Sequence, residues 1–285
     1  MTDIIPLTNF SESFAGVSFT SLFQAAFFEV IISLFLVIYS YKKKYLTIGG
    51  SALTFSFAVL IFALGGIKWI VPIFTFFILS SILSKFNKQN KSLESGKENS
   101  VRNAMQVTAN GLIPVIILIL NYFYRDEIFY FLYLSSIAAV TADTWSTETG
   151  TIKICRTYNI LNFKPVPQGI SGGISLIGLA GGIAGSLAVV MSSLFWLEKD
   201  LLRTASLILI AGFLGSLADS VTGSLLQGKF ICDVCGKTVE TNNHCGADTR
   251  ISSGMKWIDN NMVNLFCSFS GAIFFLILSG KIFYA

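Results

Sequence analysis

Long apolar stretches alternate with short polar ones along this chain, and the period-2 alternation of a barrel strand is absent. A helix needs about 20 apolar residues to cross the roughly 30 Å hydrocarbon core of a bilayer. Eight stretches meet that length, near 21–41, 46–66, 68–84, 104–123, 128–149, 172–196, 202–226 and 261–283. Helices close their own backbone hydrogen bonds in lipid. The pattern therefore predicts an all-α polytopic bundle of about eight spans, one integral membrane domain over 1–285. A Cys-containing loop, 227–260, is inserted between the last two spans.

Composition agrees. Of 285 residues, 53% are hydrophobic and 13% charged, against about 25% charged in a soluble domain. Mean hydropathy is +0.68. Residues 1–41 hold no Lys or Arg, so no positive n-region of a signal peptide is expected. Of the 20 Lys and Arg residues, 15 fall in one set of loops and 5 in the other. The positive-inside rule then predicts both termini outside and the long basic loops inside. The net charge of +4 describes that inner surface, and no nucleic-acid partner is expected.

Three inner loops carry most of the polar sequence. The first, 85–103, reads as a solvated linker. The second, 150–171, holds Lys153, Arg156 and Lys164; the third is the Cys loop. Function is expected to face the cytosol.

Asp143, in A-D-T-W-S-T-E-T-G, and Asp219, in G-S-L-A-D-S-V-T-G-S-L-L-Q, sit inside apolar spans near one membrane face. An ionised Asp at a bilayer centre costs about 2.5–3.5 kcal/mol, so such residues mark a function with a partner. Glu29 lies alone in the first span, and a structural role is expected for it.

With this topology, spans four, six and eight begin at the cytosol. Helix N-termini offer free N–H groups and partial positive charge, which suit phosphate. Spans five and seven end there with Asp143, Glu148 and Asp219. Carboxylates at negative helix ends call for a cation, and hard oxygen ligands suit Mg²⁺. Asp143 and Glu148 are five apart, splayed by about 140° on an ideal helix. They share a site only if the helix ends or bulges between them. Asn103, Gln106 and Asn110 form one polar stripe. Asp219 and Gln227, eight apart, share a helical face. Gly178, Gly181, Gly182 and Gly185 form small-xxx-small pairs that let helices approach. Gly172 and Gly173, in the loop and first turn, are candidates for backbone approach to an anion. No dinucleotide fingerprint, phosphate loop or internal repeat is found.

The third loop reads F-I-C-D-V-C-G-K-T-V-E-T-N-N-H-C-G. C-x-x-C-G is a zinc-knuckle turn, and H-C-G resembles its second half. Cys232, Cys235, His244 and Cys245 form a candidate Cys₃His structural zinc site; unpaired thiols and a catalytic Cys are the other readings. His244 is the only histidine, which removes His-based triads.

Seven motifs in one order resemble the integral membrane family called domain of unknown function 92. They are R-N-A-M-Q-V-T-A-N-G, A-D-T-W-S-T-E-T-G, P-V-P-Q-G-I-S-G-G-I-S-L-I-G, G-S-L-A-D-S-V-T-G-S-L-L-Q, C-D-V-C-G, H-C-G and W-I-D-N-N-M-V-N. The resemblance covers about 40–285. That family includes mammalian transmembrane protein 19 and plant phytyl-phosphate kinase. It implies a kinase that converts a prenyl monophosphate to the diphosphate, with CTP favoured as nucleoside triphosphate donor. Carried over by motif, the acidic candidates for Mg²⁺ are Asp143, Glu148, Asp219 and Asp259. The polar candidates are Asn103, Asn110, Lys164, Ser171, Ser175, Gln227, Asn260 and Asn264. On this reading Asp143, Asp219, Glu148 and Lys164 are catalytic, while Arg102, Gly172 and Gly173 help hold the phosphates. A cytidylyltransferase on a lipid phosphate, or a transporter, remains as an alternative.

Overall fold

The computed structural model describes residues 19–91, 101–198 and 200–280. Side chains of 19–29 and 88–91 fall outside this description, and the reading of Glu29 with them. Among the described residues there are eight α-helices: α1 Phe19–Lys42, α2 Ile48–Gly65, α3 Ile67–Lys91, α4 Ala104–Tyr124, α5 Glu127–Gly150, α6 Leu176–Ser193, α7 Leu201–Leu225 and α8 Asn260–Ser279. Seven, all but α1, are long and apolar enough to cross a membrane. The apolar part of α1 with described side chains, Val30–Lys42, is shorter. The chain is a helical integral membrane protein, as its pattern predicts.

Helix α5 is the centre. Two thirds of its span, 67%, is buried, against 44% or less in the other spans, and α3, α4, α6, α7 and α8 all pack on it. Small residues permit this. A Cβ added at Gly182 would lie 2.6 Å from Ser146 Oγ. One at Gly185 would lie 2.8 Å from the Thr141 carbonyl, and one at Gly215 2.6 Å from Ala139 Cβ. With no hydrophobic drive between helices in lipid, close backbone approach and buried hydroxyl bonds supply the cohesion. Ser136 meets Ser268 at 2.7 Å, and Ser186 donates to the Leu209 carbonyl at 2.9 Å. At the other end, Tyr130 and Tyr133 donate to the carbonyls of Lys68 and Trp69 and pack edge-on against the Trp69 ring.

Three details depart from expectation. The span expected from 172 begins only at Leu176, where the Ser175 side chain caps the Gly178 amide at 3.1 Å. Gly172 has φ +83, which a helix does not accommodate. Helix α7 ends at Leu225, so Gln227 lies beyond it and not on a shared face with Asp219. The loops after α5 and after α7 also hold short strands. In the first, β1 (Tyr158–Asn159) pairs antiparallel with β2 (Gly173–Ile174). In the second, β3 (Lys229–Ile231) lies between β4 (Thr238–Val239) and β7 (Arg250–Ser253), while β5 (Asn243–His244) pairs with β6 (Ala247–Asp248).

Candidate functional site

The beginnings of α4, α6 and α8 meet the ends of α1, α3, α5 and α7 at one end of the bundle, around three adjoining spaces. A polar cavity of about 130 Å³ lies beneath the two stranded loops, lined by Asp143, Thr147, Ser171, Asp219, Glu240 and Asn260 among others. A second, of about 480 Å³, is basic on one side: Lys43, Lys44, Lys85 and Arg102 face Asp143 and Glu148 across it. Asp143, Thr147 and Asn260 line both and form the wall between them. The third space is a groove of about 290 Å³ between α1, α2, α3 and α4. It is apolar except at its mouth, where Arg102, Gln106 and Asn110 line it and the basic cavity together.

The sequence around Asp143 is rich in hydroxyls, and most of them stitch helices. Ser146 donates to the Gly178 carbonyl at 2.8 Å and Thr149 to the Ile177 carbonyl at 3.2 Å, both on α6. Asp143 instead meets Asp219 of α7 directly, carboxylate against carboxylate. Asp219 Oδ2 is fully buried, and no donor reaches it. Two acceptors in contact, one with an orphaned oxygen, need a cation or a proton between them. The donor set is hard oxygen with Thr147 and Asn260 nearby, which fits Mg²⁺.

Glu148 goes elsewhere. Helix α5 runs unbroken to Gly150, so Glu148 is splayed from Asp143 as an ideal helix requires. Ser84 donates to its Oε1 at 2.6 Å and Asn87 to its Oε2 at 2.5 Å, both from α3. It faces Arg102, not the aspartate pair, and this corrects its expected place beside them. Arg102 is bridged by its backbone to Tyr45 and Thr47, and its guanidinium lies 5.6 Å from the Phe76 ring centre and 5.8 Å from that of Phe77. Burial lowers it to about 10, opposed by the Glu148 charge, so it remains a cation at neutral pH.

Several expected phosphate ligands have other duties. Asn103 is exposed and forms a reciprocal capping box with Gln106 at the start of α4. Asp259 is exposed and caps α8, accepting from the Asn261 and Met262 amides at 3.0 Å; it lines none of the three spaces. Lys164 is exposed on the 150–171 loop, also away from all three. Ser175 is spent on its cap. The Gly173 amide donates to the Ile170 carbonyl at 3.0 Å, and Gly172 is required because a Cβ there would collide with Ser224. The Ser171 amide donates to Glu240 Oε1 at 2.7 Å, and Gln227 donates to Glu240 Oε2 at 3.0 Å. A protein carboxylate therefore sits where an anionic ligand was expected. Asn110 and Asn264 do line the basic cavity.

Sequence reasoning missed Glu240, Lys43, Lys44, Lys85 and Thr147. The lysines were visible only as topology charges. Glu240 stood between two cysteine motifs, with nothing to show that this loop folds back over α7. The cysteine motifs themselves converge: one ligand atom from each of Cys232, Cys235, His244 and Cys245 lies within 4.8 Å of all the others. Hydrogen bonding from His244 is the chief cause of a Cys232 thiol pulled down to about 6.

Comparison with known proteins bears on this arrangement. The chain is 30% identical over 263 residues to Protein PGR of Arabidopsis thaliana, covering 83% of this chain and 90% of that one. An uncharacterized membrane protein of Methanocaldococcus jannaschii is 33% identical over 168 residues, 58% of this chain and 68% of its own. Protein VTE6, chloroplastic, of Arabidopsis thaliana is 26% identical over 140 residues, 49% of this chain and 35% of that protein. No solved structure matches. Residues 31–272 match the family described as integral membrane protein DUF92, and the chain belongs to that family.

Proposed function

We propose that this protein is a Mg²⁺-dependent prenyl-phosphate kinase, transferring the terminal phosphoryl group of CTP or another nucleoside triphosphate to a prenyl monophosphate of the phytyl or geranylgeranyl kind. One observation carries the reading: Asp143, in contact with Asp219 in a cation-demanding pair, forms part of the wall between two polar cavities, and one of these adjoins an apolar groove at a half-buried arginine, Arg102. An isoprenoid tail suits the groove between α1 and α4. Its phosphate then meets Arg102 at the mouth and the exposed lysines of the adjoining basic cavity, where cations against anionic oxygens give charge-assisted bonds. The resemblance to a family that includes a phytyl-phosphate kinase supports the same substrate class.

In this reading an oxygen of the prenyl phosphate forms a bond to the γ-phosphorus, and the bond from that phosphorus to the β,γ-bridging oxygen breaks. The products are the prenyl diphosphate and the nucleoside diphosphate. A phosphate monoester is already an anionic nucleophile, so no side chain has to remove a proton. Positioning and neutralisation supply the rate. Asp143 and Asp219 would hold Mg²⁺, whose role is to neutralise charge on the β- and γ-oxygens. Arg102, Lys43, Lys44 and Lys85 steady the acceptor phosphate, and Glu148 with Ser84 and Asn87 orients Arg102. The site is assigned to the cytosolic face, on the loop-charge argument above.

The test is incubation of purified protein with Mg²⁺, γ-labelled CTP and geranylgeranyl or phytyl phosphate. Labelled prenyl diphosphate is expected. No product with any of the four common nucleoside triphosphates would overturn the proposal, and label transferred only from the α-position would show nucleotidyl transfer instead.

A further inference from the structure

The Cys loop has little of its own to hold it together. Two short hairpins project from the bundle, and most side chains from Cys235 to Thr249 are exposed or half-buried. Isolated two-stranded hairpins are marginal in water. The Arg250–Asp233 ion pair, at 2.6 Å, is exposed on both sides, and such pairs contribute little. Yet the loop holds a definite geometry at its tip. In the first hairpin the Gly236 amide donates to the Cys232 carbonyl at 2.8 Å, and Gly236 takes φ +70, turning both cysteines inward. In the second, Cys245 takes φ +55 and Gly246 φ +75. A non-glycine residue in that region is strained and persists where its surroundings enforce it. The strain has a consequence: it aims the adjacent His244 and Cys245 at one point.

His244 Nδ1 lies 3.5 Å from Cys235 Sγ and 3.3 Å from Cys245 Sγ. A tetrahedral metal with bonds of about 2.3 Å to sulfur and 2.0–2.1 Å to nitrogen would set that edge at about 3.6 Å. All the cysteines are free thiols, so no disulfide competes. We propose that Cys232, Cys235, Cys245 and His244 Nδ1 bind one structural zinc ion, closed to other ligands, that locks the two hairpins together. Glu240 lies between them, so the ion also fixes the strand that delivers its carboxylate to the Ser171 amide and Gln227. Metal binding would supply the folding energy that the loop's few apolar contacts do not.

The experiment uses the full-length protein, purified in detergent under reducing conditions without chelator. Elemental analysis should find one zinc per chain, and Cys235 and Cys245 should resist alkylation although both are exposed. A strong chelator should remove the metal and expose both to alkylation, mapped by mass spectrometry. Purified protein with no bound transition metal, and with both thiols alkylated equally before and after chelator, would overturn the site. The Cys235→Ser variant should lose the metal. That variant alone does not separate loss of the ligand from misfolding, so His244→Cys serves as a second: it keeps four ligands, should retain the ion, and should strengthen the thiolate absorption of the Co²⁺-loaded protein. An unchanged Co²⁺ spectrum would remove His244 from the site. None of these readouts depends on catalysis, so the zinc site and the kinase proposal fail separately.

Discussion

Replacing Asp219 by Asn separates stability from function more cleanly than any other change at this site. The substitution keeps size and shape but removes one of two carboxylates in contact, and it gives Asp143 a donor. Like charges 4 Å apart at an effective dielectric of 20 repel by about 4 kcal/mol. A shared proton or a bound ion relieves most of this in the native protein, so a net gain of about 1–2 kcal/mol is expected without Mg²⁺. For a chain of this size that raises the melting temperature by roughly 2–6 °C. Mg²⁺ at a hundred times its dissociation constant should stabilise the native protein by about 2.7 kcal/mol, and should leave Asp219→Asn unmoved. Turnover should fall by about 10²–10³ or more, the usual loss of one preorganised electrostatic group. Thermal unfolding in detergent across a Mg²⁺ titration, paired with the diphosphate assay, measures both. A variant that melts lower than the native protein without Mg²⁺, or that still gains stability from Mg²⁺, would refute the reasoning.

Arg102→Gln should raise the KM for prenyl phosphate about tenfold or more while changing that for nucleotide little, since Arg102 lies at the groove mouth; steady-state kinetics with each substrate varied decides it. Gly182→Val should lower the melting temperature through an overpacking cost of about 1–3 kcal/mol, because its Cβ would press on Ser146. Tyr133→Phe removes the bond to the Trp69 carbonyl, so it should cost about 1 kcal/mol and leave turnover unchanged, the residue being at the far end of α5.

The helices were legible because hydrophobic length is a local property, and α2, α4, α5 and α7 begin and end within about two residues of the apolar stretches. The meeting of Asp143 with Asp219 was legible too, since both sit one turn or two before the ends of helices that finish at the same end of the bundle. What stayed hidden were competing uses of the same polar atoms. Asn103 and Asp259 look like ligands in a motif, but a side chain just ahead of a helix is first a cap. The N-x-x-Q pattern of Asn103 and Gln106 was a capping signal already present. Ser171 and Gly173 suggested an anion cradle, but their amides are taken by Glu240 and Ile170. Glu240 could not be placed from spacing, because its position depends on how a loop of short strands folds over α7.

The partition made by Asp143, Thr147 and Asn260 sets a rule of traffic. A molecule arriving through the groove and another arriving beneath the stranded loops approach it from opposite sides, so neither blocks the other's path. Chemistry across such a divide calls for both guests at once. If the proposed phosphoryl transfer runs there, its rate law should be that of a ternary complex with no phosphorylated protein along the way, its two products leaving by separate doors.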